Sequence, residues 1–199
     1  MTIALLVEGE TERVFKPHLV RFLNDRIPDG LRPKLKIHKY NGRIPKSEKL
    51  LRVVENFLRD CDYVIALTDV YTGTGDFTSA ADAKEKMRKW AGGGSRFHPH
   101  VALHDFEAWL LPYWEEIQSV AGHNRKAPAG KPETVNHGKP PSKRIEEIFR
   151  TGTCKRDYLK PRDAKRILDG KDLNVAIQAC PELRAFVNTI LRLCECAEV

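Results

Sequence analysis

Acidic residues follow three of the apolar segments that the sequence predicts to be β-strands. Glu8 follows the first segment, Asp69 follows the third, and Asp105 and Glu107 follow the fourth. Because the carboxyl ends of parallel strands meet at one edge of a sheet, these side chains are expected to converge. Carboxylate oxygens are the ligands that Mg²⁺ and Mn²⁺ prefer. The pattern predicts an oxygen-rich site for a divalent cation.

Glu12 is a further candidate ligand, because it lies one helical turn after Glu8 and on the same face. Each acid also has a simpler interpretation, since acids at strand-to-helix turns often cap the helix or face its positive end. Clustered carboxylates repel one another unless a cation or protons relieve them, which favours a metal site for the group. The prediction requires that the carboxylates face one site and that no lysine fills the space between them.

The neighbouring residues also suggest roles. Glu8 is predicted to be a metal ligand or an acid/base residue, because Thr11 is available to cap the first helix. Gly9 is expected to allow a tight turn and the close approach of a ligand. His104 could orient an acid, bind phosphate or only close its strand with a hydrogen bond.

The elements that must position these residues alternate between strand and helix over the first part of the chain. This alternation predicts an α/β fold with a mainly parallel four-stranded sheet flanked by helices. The predicted strands are Ile3–Val7, Leu35–Tyr40, Asp62–Thr68 and a segment ending in Val101–His104; the predicted helices begin near Thr11 and span Ser47–Arg59 and Ser79–Trp90, with a further helix starting over Asp105–Trp114.

The segment Gly122–Pro141 is rich in proline and glycine and predicts a long loop. Such loops are often functional or mobile, so we expect this one to lie near the site and to become ordered on substrate. Short helices are predicted after it. We expect residues 1–121 to form the α/β domain, and residues 122–199 to form the loop and a C-terminal helical extension packed on the same domain.

Composition narrows the function classes. The 199 residues contain 34 Lys and Arg against 27 Asp and Glu, a net charge of +7. This charge permits nucleic-acid binding through counterion release, although many basic proteins never bind nucleic acid.

No CxxC pair occurs among the five cysteines, which argues against a zinc ribbon. No apolar run suits a membrane helix and no secretory signal is evident, so we expect a cytoplasmic protein with reduced thiols.

Two groups of basic residues could contact phosphate. Lys143 and Arg144 follow the long loop at the start of a predicted helix. Either could balance charge on a scissile phosphate or contact the phosphate backbone, or both could be a solvated helix start. A second stretch is a candidate nucleic-acid-binding face, although a solvated helix surface is the commoner meaning of such runs. Its basic residues are Lys155, Arg156, Lys160, Arg162, Lys165 and Arg166, and all but Arg162 are candidate nucleic-acid contacts.

The segment Leu6-Val7-Glu8-Gly9-Glu10-Thr11-Glu12, with an Asp at the end of the third strand, resembles the Toprim fold. That fold is shared by topoisomerases, primases and OLD-type (overcoming-lysogenisation-defect) nucleases. OLD-type nucleases use a second acid one turn after the first, and the resemblance gives that role to Glu12.

A nearer resemblance is to an uncharacterised Toprim-like family, a domain of unknown function whose members are often encoded beside ATPases, including in bacterial antiphage neighbourhoods. The most specific elements are His-Asp-Phe-Glu-Ala at 104–108 and Pro-Ser-Lys-Arg at 141–144. Weaker elements are Val7-Glu8-Gly9, Asp69-Val70-Tyr71 with Gly73, and Cys180-Pro181.

One departure from the general Toprim pattern concerns the metal site. The general pattern places Asp-x-Asp after the third strand, and this chain has Tyr71 at the second position. Glu107 or Asp105 could supply the missing ligand, and Asp76 is a weaker substitute.

The resemblance implies a nuclease that uses Mg²⁺ or Mn²⁺ to cleave nucleic acid, DNA rather than RNA, as a possible effector of an ATPase-linked bacterial defence system. Glu8, Asp69 and Glu107 would hold the ions, assisted by Glu12 or Asp105, and Lys143 would balance charge. The alternative is a non-catalytic module that binds a partner ATPase or nucleic acid. A third reading is phosphoryl transfer on a small nucleotide.

Overall fold

The four strands of the structure, a computed structural model, form a single parallel sheet. They are β1 (Thr2–Val7), β2 (Lys34–Lys39), β3 (Tyr63–Val70) and β4 (Phe97–Leu103), in the order β2-β1-β3-β4. The structure describes residues 1–40, 42–70, 76–135 and 138–199, so Tyr71 and Gly73 lie outside the described residues. The predicted four-stranded α/β architecture is confirmed.

Helices cover both faces of this sheet. The α-helices are α1 (Glu10–Asn24), α2 (Ser47–Phe57), α3 (Ala80–Trp90), α4 (Trp114–Ala121), α5 (Pro141–Thr151), α6 (Lys160–Leu168), α7 (Leu173–Ala179) and α8 (Pro181–Leu193). Short 3₁₀ helices span Asp29–Leu31, Phe106–Trp109 and Leu111–Tyr113.

Alternation along the central strands divides the apolar core between the two faces. On β1, Ile3 and Leu5 face a core that includes Phe15 of α1. The intervening Leu6 faces a second core that includes Leu50 of α2 and Met87 of α3. Both faces of β1 are therefore buried, which explains its continuous apolar sequence.

The C-terminal helices belong to the first of these cores. Phe149 of α5, Ile167 of α6 and Val187 of α8 are each buried in the same cluster as Ile3 and Trp109. The helical extension therefore shares buried side chains with the sheet and with the segment that follows β4.

Two local predictions are wrong. The first helix begins at Glu10, preceded by Gly9, so Thr11 is a buried residue inside α1 and not its cap. The segment after β4 does not begin an α-helix at Asp105. It forms two 3₁₀ helices before α4, and Pro112 in the second lacks the N–H that a continuous α-helix would use there.

The long loop is fixed to the fold by Glu133. This carboxylate is 3% exposed and accepts hydrogen bonds from Trp109 Nε1 at 3.0 Å and from the backbone N–H groups of Glu182 and Leu183. It thereby caps the N-terminus of α8 from outside the helix. Within this loop Glu133 and Val135 are buried, whereas Lys131 and Thr134 are exposed.

The strand β2 forms one edge of the sheet, and its solvent side is basic. Lys34, Lys36 and His38 are exposed along it, while Leu35 points into the core. In the described part of the chain, no helix combines the length and apolar character needed to cross a bilayer.

We predict that Glu133→Ala lowers the free energy of unfolding by about 2–4 kcal/mol, because three buried donors lose their acceptor. Urea denaturation of this variant should be compared with that of Glu115→Ala, which removes an exposed carboxylate from α4. If the two variants had equal free energies of unfolding, Glu133 would not stabilise the fold by capping α8 and fixing the loop.

Candidate active site

A cavity at the carboxyl ends of β1 and β3 brings together four of the five predicted metal ligands. Its acidic lining is Glu8, Glu12, Asp69 and Glu107, with Glu10 at the mouth. Lys160 and Pro161, from the start of α6, complete the wall. The predicted convergence of acids from separate elements is therefore present in the structure, but the requirement that no lysine lie among them is not met on the side of Glu107, which Lys160 contacts.

The register between the two central strands places Glu8 beside Thr68. The pair Val7 and Leu67 ends the β1–β3 ladder, so the next residues, Glu8 and Thr68, lie side by side. The Thr68 hydroxyl donates a hydrogen bond to Glu8 Oε1. Sequence reasoning missed Thr68, although its position directly before Asp69 is where a polar side chain would reach the neighbouring strand end.

Burial is the main influence on the charge of Glu8. Desolvation raises the pKa of this carboxyl, the Thr68 hydroxyl lowers it, and the nearby Glu12 raises it again, so that the pKa lies above its ordinary value. Glu8 therefore holds a proton more readily than an exposed glutamate, which suits either an acid/base group or a ligand that awaits a cation.

Asp69 lies in a strongly unfavourable environment for a charged carboxylate. Desolvation raises its pKa well above the ordinary value, and the charges of Glu8, Glu107 and Glu12 raise it further. Every one of these effects disfavours the ionised form. A cation at this position would relieve all of them at once.

Glu107 and Lys160 form an ion pair at the wall of the cavity. Lys160 Nζ lies 3.2 Å from Glu107 Oε2, and Glu107 is 1% exposed while the lysine side chain is 48% exposed. Burial and the charge of Asp105 raise the pKa of Glu107, and Lys160 opposes this rise without cancelling it. The other oxygen, Oε1, is buried and has no hydrogen-bond partner among the described residues.

Lys160 occupies an unusual position for a cation. As the first residue of α6 it lies at the positive end of the helix, where a positive charge is unfavourable. Burial lowers its pKa, but the carboxylates of Glu107, Asp105 and Asp69 outweigh that effect and raise it overall. Lys160 was predicted as part of a nucleic-acid-binding face, and the structure places it in the acid cavity.

Glu12 has a structural role that competes with metal binding. It is the third residue of α1, and burial raises the pKa of its carboxyl overall, while backbone groups of Glu12, Gly9 and Glu8 lower it. This is the position that the glutamate of a capping box occupies. Gly9 has an extended backbone, with φ −141°, and a Cβ there would meet Glu12 Oε2 at 3.3 Å. The glycine therefore makes room for the cap, and a left-handed turn is not its reason.

Asp105 and His104 lie behind the cavity wall. Asp105 is fully buried, and its Oδ2 accepts the backbone N–H of Ser142 at 3.1 Å, at the start of α5. It therefore anchors α5 and influences the cavity through its charge. His104 is 6% exposed, and burial lowers its pKa, which favours the neutral ring.

The other predicted phosphate-binding residues do not line this cavity. Lys143 is 61% exposed and pairs with Glu146 of the same helix at 2.7 Å. Arg144 lines a separate pocket beside Trp114 and Glu147. Asp76, the weaker substitute ligand, pairs with Arg43 and Lys46 on the other side of the strand ends. Lys155, Lys165 and Arg166 are exposed.

Arg156 has a structural partner. It makes two hydrogen bonds to the fully buried Asp163, at 2.6 and 3.0 Å, and its guanidinium lies 4.7 Å from the centroid of the Phe149 ring. Burial raises the pKa of Asp163, but Arg156 and Arg162 hold it below the ordinary value. The geometry therefore assigns Arg156 to the packing of α6.

The donors around the cavity suit Mg²⁺ or Mn²⁺. They are carboxylate oxygens, they repel one another, and the buried Glu107 Oε1 has no hydrogen-bond partner in the described ranges. Within residues 1–40, 42–70, 76–135 and 138–199, however, no three acidic, histidine or cysteine side chains already form a group that could hold a metal ion. Closing this donor set on an ion requires the carboxylates to move together.

We predict that Asp69→Asn stabilises the metal-free chain by at least about 1 kcal/mol near pH 8. The folded-state pKa of Asp69 lies above its unfolded value, so the stability from its protonation is present below the unfolded pKa and is lost as pH rises through the folded pKa. The difference in free energy of unfolding between Asp69→Asn and the parent should therefore increase from about pH 4 to about pH 8.

Urea denaturation across this pH range gives the measurement, with the exposed Asp60→Asn as the matched control. If the difference in free energy of unfolding between Asp69→Asn and the parent does not change with pH, the pKa of Asp69 is not raised in the folded chain.

The chain was compared with protein-family models, curated proteins and solved structures. Residues 7–191 match the family model described as a domain of unknown function, DUF4276. No curated protein matches the chain.

Two solved structures are similar along nearly the whole chain. The C-terminal region of the Burkholderia pseudomallei OLD protein shares 15% identity and has a TM-score of 0.54, covering 96% of each chain. The C-terminal region of the Xanthomonas campestris pv. campestris OLD protein also shares 15% identity, with a TM-score of 0.50, covering 96% of this chain and 93% of that one. At this identity the likeness is one of fold, and it agrees with the predicted α/β architecture.

Proposed function

The chain belongs to the DUF4276 family, and we propose that it hydrolyses phosphodiester bonds of nucleic acid with the help of Mg²⁺ or Mn²⁺. The observation that carries this proposal is the cavity in which Glu8, Asp69 and Glu107 face one another beside Lys160. The likeness in fold to OLD proteins, which the sequence resemblance groups with nucleases, supports it.

Each acid has a role that its environment favours. Glu8, Asp69 and Glu107 would hold the cation, and Glu12 would assist if its carboxylate moves away from the backbone groups at the start of α1. A bound divalent cation lowers the pKa of a water molecule and stabilises the leaving oxygen. The alternative role of Glu8 is that of an acid/base residue, for which the Thr68 hydroxyl would orient its carboxylate.

Lys160 takes the charge-balancing role that the sequence suggested for Lys143. Its ammonium group lies at the cavity wall, is half-exposed and stays protonated because three carboxylates surround it. A scissile phosphate in the cavity would meet this cation directly, and preorganised positive charge stabilises the negative charge that builds during cleavage. Lys143 has no such position.

The proposed substrate and the proposed partner are supported by the net charge of the chain and by its resemblance to OLD proteins. A net charge of +7 supports binding to a polyanion. DNA is the proposed substrate ahead of RNA. The OLD structures are C-terminal regions of larger proteins, which supports a role beside a second component, proposed here to be an ATPase in a bacterial defence system.

A non-catalytic interaction module is the second candidate. Lys160 already neutralises one oxygen of Glu107, and no ready group of three metal ligands exists in the described part of the chain. Tyr71, which lies outside the described residues, replaces the second Asp of the Toprim pattern. In this reading the domain binds nucleic acid or a partner ATPase through a degenerate site.

We predict that Lys160→Met lowers the rate of Mn²⁺-dependent cleavage by about 10²–10³-fold, because it removes the cation facing the phosphate. Lys143→Met is the matched control and should change the rate by less than about twofold, since it removes only a surface ion pair. The measurement is the nicking rate of supercoiled plasmid under saturating Mn²⁺. A larger loss in Lys143→Met than in Lys160→Met would restore the role first predicted for Lys143.

We predict that Mn²⁺ binds the parent chain, and that Glu8→Gln and Asp69→Asn each weaken binding at least about tenfold, the effect of losing a charged ligand worth about 1.4 kcal/mol. Isothermal titration calorimetry measures this without any requirement for activity, and Asp60→Asn is the control. Absence of Mn²⁺ binding together with intact plasmid would favour the interaction module, and hydrolysis of free nucleotides alone would favour a small-nucleotide substrate.

A further inference from the structure

A second cleft opens on the opposite side of the same strand ends. Glu8 and Asp69 border both the acid cavity and this cleft. Its walls come from the segment before α2 and from α3, and its cavity volume is about 50 Å³, with further space open to solvent at the mouth. The proposed scissile position therefore has a neighbouring compartment that the hydrolytic mechanism does not use.

The deep part of this cleft is apolar and aromatic. Phe77 and Trp90 lie with ring centroids 6.1 Å apart and planes tilted by 46°. Ile44 and Met87 form the buried floor beside them, and Trp90 is partly exposed at the end of α3. Aromatic and aliphatic walls of this kind accept a flat, uncharged ring, which gains stacking contact on entry.

The mouth of the cleft is basic. Arg43 and Lys46 share the single carboxylate of Asp76, with Lys46 Nζ at 2.6 Å. Lys86 donates to the Asp76 carbonyl at 3.0 Å and lies 5.7 Å from the centroid of the Phe77 ring. Two cations on one carboxylate leave a positive charge in excess, which a phosphate group can satisfy.

The combination selects one class of ligand. A carboxylate-bearing ligand would be repelled by Glu8 and Asp69 at the back of the cleft, whereas a nucleobase is neutral. Phosphates on either side of that base would meet Arg43 and Lys46 at the mouth. A base can enter only if it has left its own stack, because a paired base is held inside the duplex.

We propose that this cleft binds an unpaired nucleobase adjacent to the scissile phosphate, so that the substrate is single-stranded or locally unpaired nucleic acid. The position of the base next to a cleaved phosphate rests on the proposed hydrolysis. Binding of a base in the cleft can be measured without any cleavage. It assigns Trp90 and Phe77 to substrate selection, a role separate from the acids.

The experiment compares two short strands with the same number of phosphates. One is oligothymidylate and the other consists of abasic tetrahydrofuran residues, each with a fluorescent end label. Fluorescence anisotropy in EDTA measures affinity without cleavage. We expect the full-length chain to bind oligothymidylate about tenfold more tightly than the abasic strand, the effect of one stacked base. It should also bind oligothymidylate more tightly than a blunt duplex.

Three variants localise the effect. Trp90→Ala should reduce the preference for bases to less than twofold, and Trp90→Leu, which retains apolar volume, should do the same if the alanine variant folds poorly. Arg43→Ala should weaken both strands equally. Lys89→Ala removes a lysine that is 73% exposed on the same helix and should keep the tenfold preference.

Equal affinities for the two strands, equal binding of the duplex, or a preference that survives in both Trp90 variants would overturn the inference. The outcome is distinguishable from failure of the proposed hydrolysis. A preserved base preference with no Mn²⁺-dependent cleavage contradicts hydrolysis alone, and Mn²⁺-dependent cleavage without a base preference contradicts the cleft alone.

Discussion

Mutual repulsion among carboxylates that are buried at the ends of parallel strands is the constraint around which this molecule is organised. Glu107 is fully buried and Asp69 is partly buried, and the charge of Glu107 raises the cost of ionising Asp69. The fold supplies only partial relief, through the Thr68 hydroxyl on Glu8 and the Lys160 ammonium on Glu107. A site held in this state has a standing affinity for positive charge, which is the physical basis for expecting a cation there.

Sheet topology explains why the acids can meet at all. In the order β2-β1-β3-β4 the first and third strands are central neighbours, so the residues after Val7 and Leu67 emerge side by side. Glu107 arrives from the segment after the edge strand β4, and Lys160 arrives from a helix that packs beside α1. Chain segments far apart in sequence thus contribute to one cavity because each ends or begins at the same rim.

The sequence predicted the parts of this site that depend on strand ends and failed where tertiary packing decides. Glu8, Asp69 and Glu107 follow apolar runs, so their convergence could be read from the alternation of strand and helix. Lys143 is the third residue of α5 and Lys160 is the first residue of α6, and only the packing of the C-terminal helices brings Lys160 to the rim. A lysine at the positive end of a helix is unfavourable by itself, and this was the sequence feature that could have pointed to nearby carboxylates around Lys160. Glu133 offered none, because its three donors come from Trp109 and from the distant start of α8.

The lysine-bearing outer strand has a consequence for how copies of this protein can meet. An open strand normally offers its unpaired peptide groups to a strand of another molecule. Here such pairing would bring the ammonium groups of Lys34 and Lys36 against an incoming backbone and strip them of water. Sheet extension through β2 is therefore disfavoured, although β2 is an edge of the sheet.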